Sequence, residues 1–249
     1  MNKNSTNIAL LDIGNTAIKV GIADSETKRL KITKSISTEE ECRSFINNHN
    51  CNAIVYSNVR PGILEKNIST PTCSKIINAK NIIDDSFIKF EKSLDIGIDR
   101  KLACLGATPL TKNAFIVFTL GTANTVSFVS NNECKHSFVW PGLQISAKAL
   151  TDNTRLILNS KKYYTDKPEP LNKEQITLEE SCDIGIYYSA VYAIDAWIDY
   201  FKNLTGNKIS VFLTGGFAHV LQLKLKSETK IIPNLTLRGL LAFIPKVDQ

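Results

Sequence analysis

The pattern that most constrains this chain is a pair of apolar runs joined by a short polar turn, and it occurs twice. The first copy spans residues 7–23 and the second spans residues 114–129. Two apolar runs around a turn that contains glycine predict a β-hairpin. Alignment of Gly14 with Gly121 superposes the two hairpins. The chain therefore carries a weak internal repeat with a period near half its length, which predicts two related lobes.

The 249 residues, 43% of them hydrophobic, suit one large domain or two small ones. We expect two lobes, residues 1–113 and 114–249, each built around one hairpin. In the first lobe, residues 38–48 predict a helix because three glutamates fall in its first turn. In the second lobe, apolar residues recur at three- and four-residue steps over 181–201 and predict a long helix. Further predicted elements are strands at 30–35, 53–57, 76–78 and 209–213, and a loop at 168–173.

Composition and charge exclude several classes of protein. No stretch approaches the roughly 18 consecutive apolar residues of a membrane span, and the N-terminus lacks the apolar core of a secretory signal, so we expect a cytoplasmic protein without a membrane partner. The net charge of +6 is dispersed, with no basic stripe for nucleic acid. Six cysteines without a CxxC pair and three scattered histidines argue against a zinc site and predict reduced thiols.

The turn of the first hairpin carries the residue types of a phosphate-binding site. Asp12 can hold Mg²⁺, and Gly14 lets the backbone approach phosphate oxygens. Backbone N–H groups of the turn and the side chains of Asn15 and Thr16 can donate to those oxygens. Lys19 on the return strand can add a positive charge. A plain hairpin turn uses the same residue types, so this alternative stays open for the motif taken alone.

Three other segments support a nucleotide-dependent enzyme. Glycine-containing breaks at 121–123 and 213–216 could bring further backbone against a nucleotide. Asp99 stands where a helix begins and could accept the proton of a substrate hydroxyl, while Arg100 could bind an anionic group. A helix-capping aspartate beside a solvated arginine would give the same local pattern.

Taken together, these segments resemble the motifs of the type III pantothenate kinase family. Residues 12–19 are similar to its DxGNTxxK phosphate motif, and residues 97–100 to its GxDR pantothenate motif. Order and spacing agree over almost the whole chain. The other similar segments are 121–123 (GTA), 140–150 (PGLxxS followed by AL), 214–216 (TGG) and 233–240 (PxLxLxGL).

The resemblance implies a fold, an activity and an assembly. The fold is α/β: the two-lobed, ribonuclease H-like fold of the acetate and sugar kinase/Hsc70/actin superfamily, with duplicated mixed-sheet domains and ATP between the lobes. The activity is ATP-dependent phosphorylation of pantothenate to 4'-phosphopantothenate, the first step of coenzyme A biosynthesis. The implied cofactors are ATP, Mg²⁺ and a monovalent cation, K⁺ or NH₄⁺, and the implied assembly is a homodimer.

Carried over residue by residue, the resemblance implies a role for each matching position. Asp99 would be the general base. The residues implied to hold ATP phosphates are Asp12, Ile13, Gly14, Asn15, Thr16, Lys19, Gly121 and Thr122. Those implied to contact pantothenate are Phe90, Gly97, Ile98, Asp99, Arg100 and Thr177. The implied metal positions are Asp12 for Mg²⁺ and Thr119 for the monovalent cation.

Several positions depart from the family pattern. Thr119 stands where the family has an aspartate that supports the monovalent cation, and a neutral hydroxyl is a weaker ligand. The other departures are Ser127 and Phe217 at usual aspartate positions, Phe90 at a tyrosine position, and Thr177, which is shifted by one residue. Two alternatives therefore stay open. One is a catalytically weakened homologue that binds a nucleotide or a pantothenate-like ligand in a regulatory or accessory role, and the other is a kinase for a different small hydroxy acid.

Overall fold

The computed structural model describes residues 6–60, 62, 68–84, 86–91, 95–154, 174–206 and 208–247. Contacts divide the chain into two compact units, residues 1–110 together with 234–249, and residues 111–233. The C-terminal segment is thus grouped with the first unit, whereas the expected lobes end and begin at residues 113 and 114. Those lobes stay a prediction, and the loop expected at 168–173 lies outside the described residues.

The elements follow one another along the chain in an α/β pattern. The strands are β1 (Asn7–Ile13), β2 (Ile18–Asp24), β3 (Leu30–Ile36), β4 (Cys51–Asn58), β5 (Lys75–Asn78), β6 (Lys89–Phe90), β7 (Ala114–Leu120), β8 (Ala123–Ser130), β9 (Glu133–Pro141), β10 (Ile209–Thr214) and β11 (Lys230–Ile231). The α-helices are α1 (Glu39–Asn48), α2 (Ile98–Ala107), α3 (Leu143–Asn153), α4 (Leu178–Thr205), α5 (Ala218–Gln222) and α6 (Leu235–Leu240). Short 3-10 helices cover Ala79–Asn81, Thr108–Leu110 and Leu241–Lys246.

The first unit is built on a mixed sheet with the strand order β3-β2-β1-β4-β5. β1 and β2 form the predicted antiparallel hairpin, and β4 lies parallel to β1 on its other side. The apolar residues of β1 and β4 are almost all buried, as expected for central strands covered on both faces. Because β1 and β4 run in the same direction, their carboxyl ends meet at one edge of the sheet. That edge carries the turn of the first hairpin.

Two helices of the first unit pack closely through glycines. A Cβ atom added to Gly239 on α6 would overlap the carbonyl oxygen of Leu102 on α2, and one added to Gly106 would overlap the carbonyl oxygen of Leu235. The backbones of α2 and α6 can approach this closely only because both positions lack a side chain. This contact packs α6 against α2 within the first unit.

In the second unit the strands lie in the order β11-β10-β7-β8-β9, with β7 and β8 as the second predicted hairpin. The predicted helix at 181–201 is present and longer, because Thr177 and Glu180 form a capping box that starts α4 at Leu178. Gly206 ends it in a left-handed conformation. None of the described helices has the length and apolar character needed to cross a bilayer. Strand β9 had no counterpart among the predicted elements.

Candidate active site

Four elements of the first unit converge on the carboxylate of Asp12. Asp12 lies near the end of β1, directly opposite Lys19 on β2, and is only 8% exposed. Ser57, its neighbour on β4, donates from Oγ to Asp12 Oδ1 over 3.3 Å. The hydroxyl of Thr236, on α6, lies near the same carboxylate and lowers its pKa. Asp12 and Lys19 were predicted from the sequence, whereas Ser57 and Thr236, which lie far from them along the chain, were not.

The surroundings of Asp12 disfavour its charged form. Desolvation by burial is the largest influence and raises the pKa of Asp12 above its ordinary value of 3.8. The nearby charge of Asp99 raises the pKa further, whereas Lys19 and the two hydroxyl groups lower it. A buried carboxylate of this kind gains stability when a cation binds it. The side chain therefore fits a Mg²⁺ ion, which proteins commonly hold through one or two carboxylates together with substrate phosphates.

The turn that follows Asp12 is held from both sides. The Gly14 N–H donates to the carbonyl oxygens of Asp12 (3.2 Å) and Ala17 (3.1 Å). The Gly14 carbonyl oxygen accepts a hydrogen bond from Arg60 Nε over 2.8 Å. Asn15 and Thr16 stand exposed at the tip. The turn thus has a fixed backbone and an open tip, as a phosphate-binding hairpin requires.

The GxDR segment forms the start of helix α2. Gly97 is the N-cap residue, and Asp99 lies in the first turn, half-buried. A Cβ atom on Gly97 would lie 2.6 Å from Asp99 Oδ1, so the Asp99 carboxylate folds back over the glycine. Within the described part of the chain that carboxylate accepts no hydrogen bond. Arg100 Nη2 donates to the carbonyl oxygen of Asp95 over 3.3 Å.

Phe90 lies beside this segment. Its ring is buried, and Lys101 Nζ lies 4.9 Å from the ring centroid. Because Lys101 directly follows Arg100 on α2, Phe90 and the GxDR segment lie close together. The structure therefore brings together most of the residues expected to contact pantothenate. Thr177 belongs to the second unit, where its hydroxyl accepts a hydrogen bond from the Glu180 N–H as the helix cap.

In the second unit the PGL segment and the two glycine-containing breaks, at 121–123 and 213–216, lie close together. The Gly142 N–H donates to Thr122 O over 3.1 Å, and the Phe217 N–H donates to Leu120 O over 3.1 Å. A Cβ atom on Gly142 or on Gly215 would overlap backbone oxygens of the second hairpin, and Gly215 has a φ of +101°. These two glycines are required by the close approach of the backbones. The turn at Thr122 is thereby fixed, as the first hairpin turn is.

Two of the departures from the family pattern, Thr119 and Ser127, place hydroxyl groups where carboxylates were expected. Thr119 pairs with Thr125 on one neighbouring strand and with Thr214 on the other, so the three threonines form a row across the sheet. Ser127 is buried and lies 3.0 Å from Ser137, oxygen to oxygen. Among the described residues there is no cluster of three His, Cys, Asp or Glu side chains able to hold a metal ion. The position of Thr119 thus offers neutral oxygens only.

The PGL segment also lines a cavity of the second unit. The cavity has a volume of about 370 Å³ and lies between α3 and α4. Its wall is mainly apolar, with Trp140, Leu143 and Ile186 among its residues. The Trp140 indole Nε1 is buried without a hydrogen-bond partner in the described structure.

Comparison with known proteins gives the family. A family model described as type III pantothenate kinase matches residues 8–200. The chain belongs to the type III pantothenate kinase family. The type III pantothenate kinase of Acholeplasma laidlawii is 25% identical over 252 residues, which cover 96% of this chain and 98% of that protein. The type III pantothenate kinase of Legionella pneumophila (strain Corby) is 25% identical over 266 residues, which cover 94% and 96%.

Solved structures agree on the fold of this type III pantothenate kinase family member. A putative Baf family transcriptional activator from Campylobacter jejuni has a TM-score of 0.58 at 18% identity, covering 96% of this chain and 98% of that one. A putative N-acetylmannosamine kinase from Listeria monocytogenes has a TM-score of 0.53 at 15% identity, covering 98% and 100%. The predicted sugar-kinase-like α/β fold is confirmed, as are the predicted family and enzyme class.

Proposed function

We propose that this chain transfers the terminal phosphoryl group of ATP to the hydroxyl of pantothenate, forming 4'-phosphopantothenate in the first step of coenzyme A biosynthesis. The observation that carries the proposal is the pair of carboxylates in the first unit. Asp12 is buried at the phosphate hairpin, and Asp99 is close enough to raise the pKa of Asp12. The carboxylate of Asp12 is suited to bind a metal ion, and that of Asp99 is suited to accept a proton. Family membership supports pantothenate as the substrate and a cytoplasmic location.

On the nucleotide side, the first hairpin would hold the phosphates. Asp12 would hold Mg²⁺ directly or through water, and the exposed tip at Asn15 and Thr16 would donate to phosphate oxygens. Lys19, opposite Asp12 in the hairpin, would add a positive charge. Bound Mg²⁺ would neutralise charge on the transferring phosphoryl group. The protein itself contributes mainly positioning and charge, as is usual in phosphoryl transfer.

On the acceptor side, Asp99 would take the hydroxyl proton while the hydroxyl oxygen forms a bond to phosphorus and ADP leaves. Its carboxylate is half-buried and accepts no hydrogen bond from the described residues, so its oxygens can receive that proton. Arg100 would bind the carboxylate of pantothenate. The further proposed contacts to pantothenate are Gly97, Ile98, Phe90 and Thr177. Phe90 can contribute apolar contact only, because it lacks a hydroxyl.

A coupled assay of ADP release, with and without pantothenate, tests the proposed function. We expect ADP release that depends on pantothenate and yields a phosphorylated product by mass spectrometry. The row of threonines at Thr119 favours one alternative, a weakened homologue with an accessory role. ATP binding without turnover would support that alternative. Turnover with another hydroxy acid, and none with pantothenate, would support a kinase of different specificity.

The dependence of turnover on a monovalent cation should differ between this chain and the family pattern. Because Thr119 and its neighbours offer neutral oxygens only, we expect similar turnover in K⁺, NH₄⁺ and Na⁺ buffers. Thr119→Asp adds a carboxylate at the expected position and should raise the ratio of turnover in K⁺ to turnover in Na⁺. Steady-state kinetics at constant ionic strength measure this ratio. A strong K⁺ requirement of the unmodified protein would contradict the prediction.

We further propose a homodimer, supported by an exposed apolar stripe on α4. Tyr192, Ala196, Tyr200 and Leu204 are spaced four residues apart and are all exposed, the two tyrosines by 53% and 51%. Exposed aromatic residues in a continuous patch are typical of protein interfaces. The double variant Tyr192→Lys and Tyr200→Lys should halve the mass measured by light scattering. Leu223→Lys, at an exposed leucine outside α4, is the control and should leave the mass unchanged.

A further inference from the structure

Arg60 lies beside the phosphate hairpin although it belongs to a different segment of the chain. It follows β4, whose pairing with β1 continues one residue further through the Val59 N–H to Ile13 O hydrogen bond of 3.0 Å. The Arg60 N–H donates to Asn58 Oδ1 over 2.8 Å, which turns the chain. Arg60 Nε then donates to the Gly14 carbonyl oxygen over 2.8 Å. The guanidinium group is thereby anchored at the turn of the hairpin.

The anchored guanidinium keeps an unused donor. Arg60 Nη2 is buried and has no hydrogen-bond partner among the residues that the structure describes. No carboxylate of the described residues forms an ion pair with Arg60. An unsatisfied buried donor on a charged group costs free energy, which a bound anion would recover.

Lys19 and Arg60 differ in how far a nearby carboxylate balances their positive charge. Lys19 faces Asp12 across the hairpin, so part of its charge is already balanced by a carboxylate. Arg60 is bonded only to neutral oxygen atoms within the described structure. Its hydrogen bond also reduces the negative potential of the Gly14 carbonyl oxygen, which would otherwise repel an anion at the turn.

We propose that Arg60 is an additional phosphate-binding residue, which donates from its Nη atoms to the phosphate chain of a nucleoside triphosphate held at the first hairpin. A planar guanidinium suits this task, because Nε can bond to Gly14 while the remaining N–H groups of the fork contact phosphate oxygens. The inference rests on the proposed function for the nucleotide site and is independent of the acceptor.

The test compares Arg60→Met with Arg29→Met by isothermal titration calorimetry with MgATP, MgADP and adenosine. Arg29 is exposed in the turn between β2 and β3, at the end of β2 away from the hairpin turn, and its replacement removes the same charge. Arg60→Met should weaken MgATP binding by about 10- to 100-fold, the range for loss of a hydrogen bond between charged groups. Adenosine binding should be unchanged. Arg29→Met should bind all three ligands as the unmodified protein does.

A second variant, Arg60→Lys, keeps the charge but cannot bond to Gly14 and to phosphate at once. It should show about a tenfold loss in MgATP affinity. If thermal melts show that Arg60→Met is unfolded, Arg60→Lys tests the proposal in its place. Unchanged MgATP affinity in the folded variants, or an equal loss for adenosine, would overturn the proposal. An unmodified protein that binds no MgATP would overturn it too. MgATP binding without phosphorylation of pantothenate would contradict the proposed function but not the proposed role of Arg60.

Discussion

Asp99→Asn is expected to lower turnover by about 10²- to 10⁴-fold, the usual contribution of a positioned general base. Asparagine keeps the size of the side chain but cannot accept the hydroxyl proton. The ATP contacts proposed here lie on the hairpins, so the affinity for MgATP should change little. Steady-state kinetics with both substrates, together with calorimetry for MgATP, measure the two effects separately.

Arg100→Ala serves as the matched comparison for Asp99→Asn, because the two residues are neighbours in the first turn of α2. Its main effect should be a higher KM for pantothenate, since Arg100 is proposed to bind the substrate carboxylate. The two variants thus separate proton transfer from substrate binding. If Asp99→Asn kept full turnover, or lost MgATP binding first, Asp99 would have a structural role and the proposed general base would be wrong.

Asp12→Asn should remove most of the Mg²⁺-dependent activity and, at neutral pH, make the protein more stable. Activity is lost because the amide has no charge with which to hold Mg²⁺. Stability rises because the buried carboxylate pays a desolvation cost that a neutral amide avoids. Asparagine is nearly isosteric, and its oxygen can still accept from Ser57 or Thr236. A loss of function with a gain in stability is the pattern expected for a site residue.

The pH dependence of this stability difference follows from the raised pKa of Asp12. Below the ordinary value of 3.8, aspartate is protonated in both the folded and the unfolded chain, so the ionisation of Asp12 contributes nothing to the difference between unmodified protein and variant. As pH rises from 3.8 to the higher folded-state pKa of Asp12, the unfolded chain releases its proton before the folded chain does, and the unmodified protein loses stability. Thermal melts over a pH series should show the advantage of Asp12→Asn growing over this window and then levelling off. A variant less stable than the unmodified protein at neutral pH would show that Lys19 outweighs desolvation.

Local patterns in the sequence determined the elements that carry the candidate site. Alternation between apolar runs and a polar turn defines both hairpins, and Thr38 with its following glutamates defines the start of α1. Such features depend on hydrophobic periodicity and on capping within a few residues. The same short-range information predicted that Lys19 lies on the return strand of the hairpin, and the structure pairs it with Asp12. The motifs also predicted the family correctly.

Tertiary structure alone decided which distant residues surround Asp12. Ser57 and Arg60 reach the hairpin because β4 pairs with β1 in parallel, and Thr236 reaches it because the C-terminal helix α6 packs in the first unit. Parallel pairing joins strands that are not neighbours in the chain, so no local pattern reports the choice of partner. The close contact of α6 with α2 depends on two glycines, Gly106 and Gly239. Only the packed structure shows that a side chain at either position would overlap the neighbouring backbone. The sequence therefore predicted the groups that are proposed to react, and the packing of distant segments supplied their neighbours and their electrostatic surroundings.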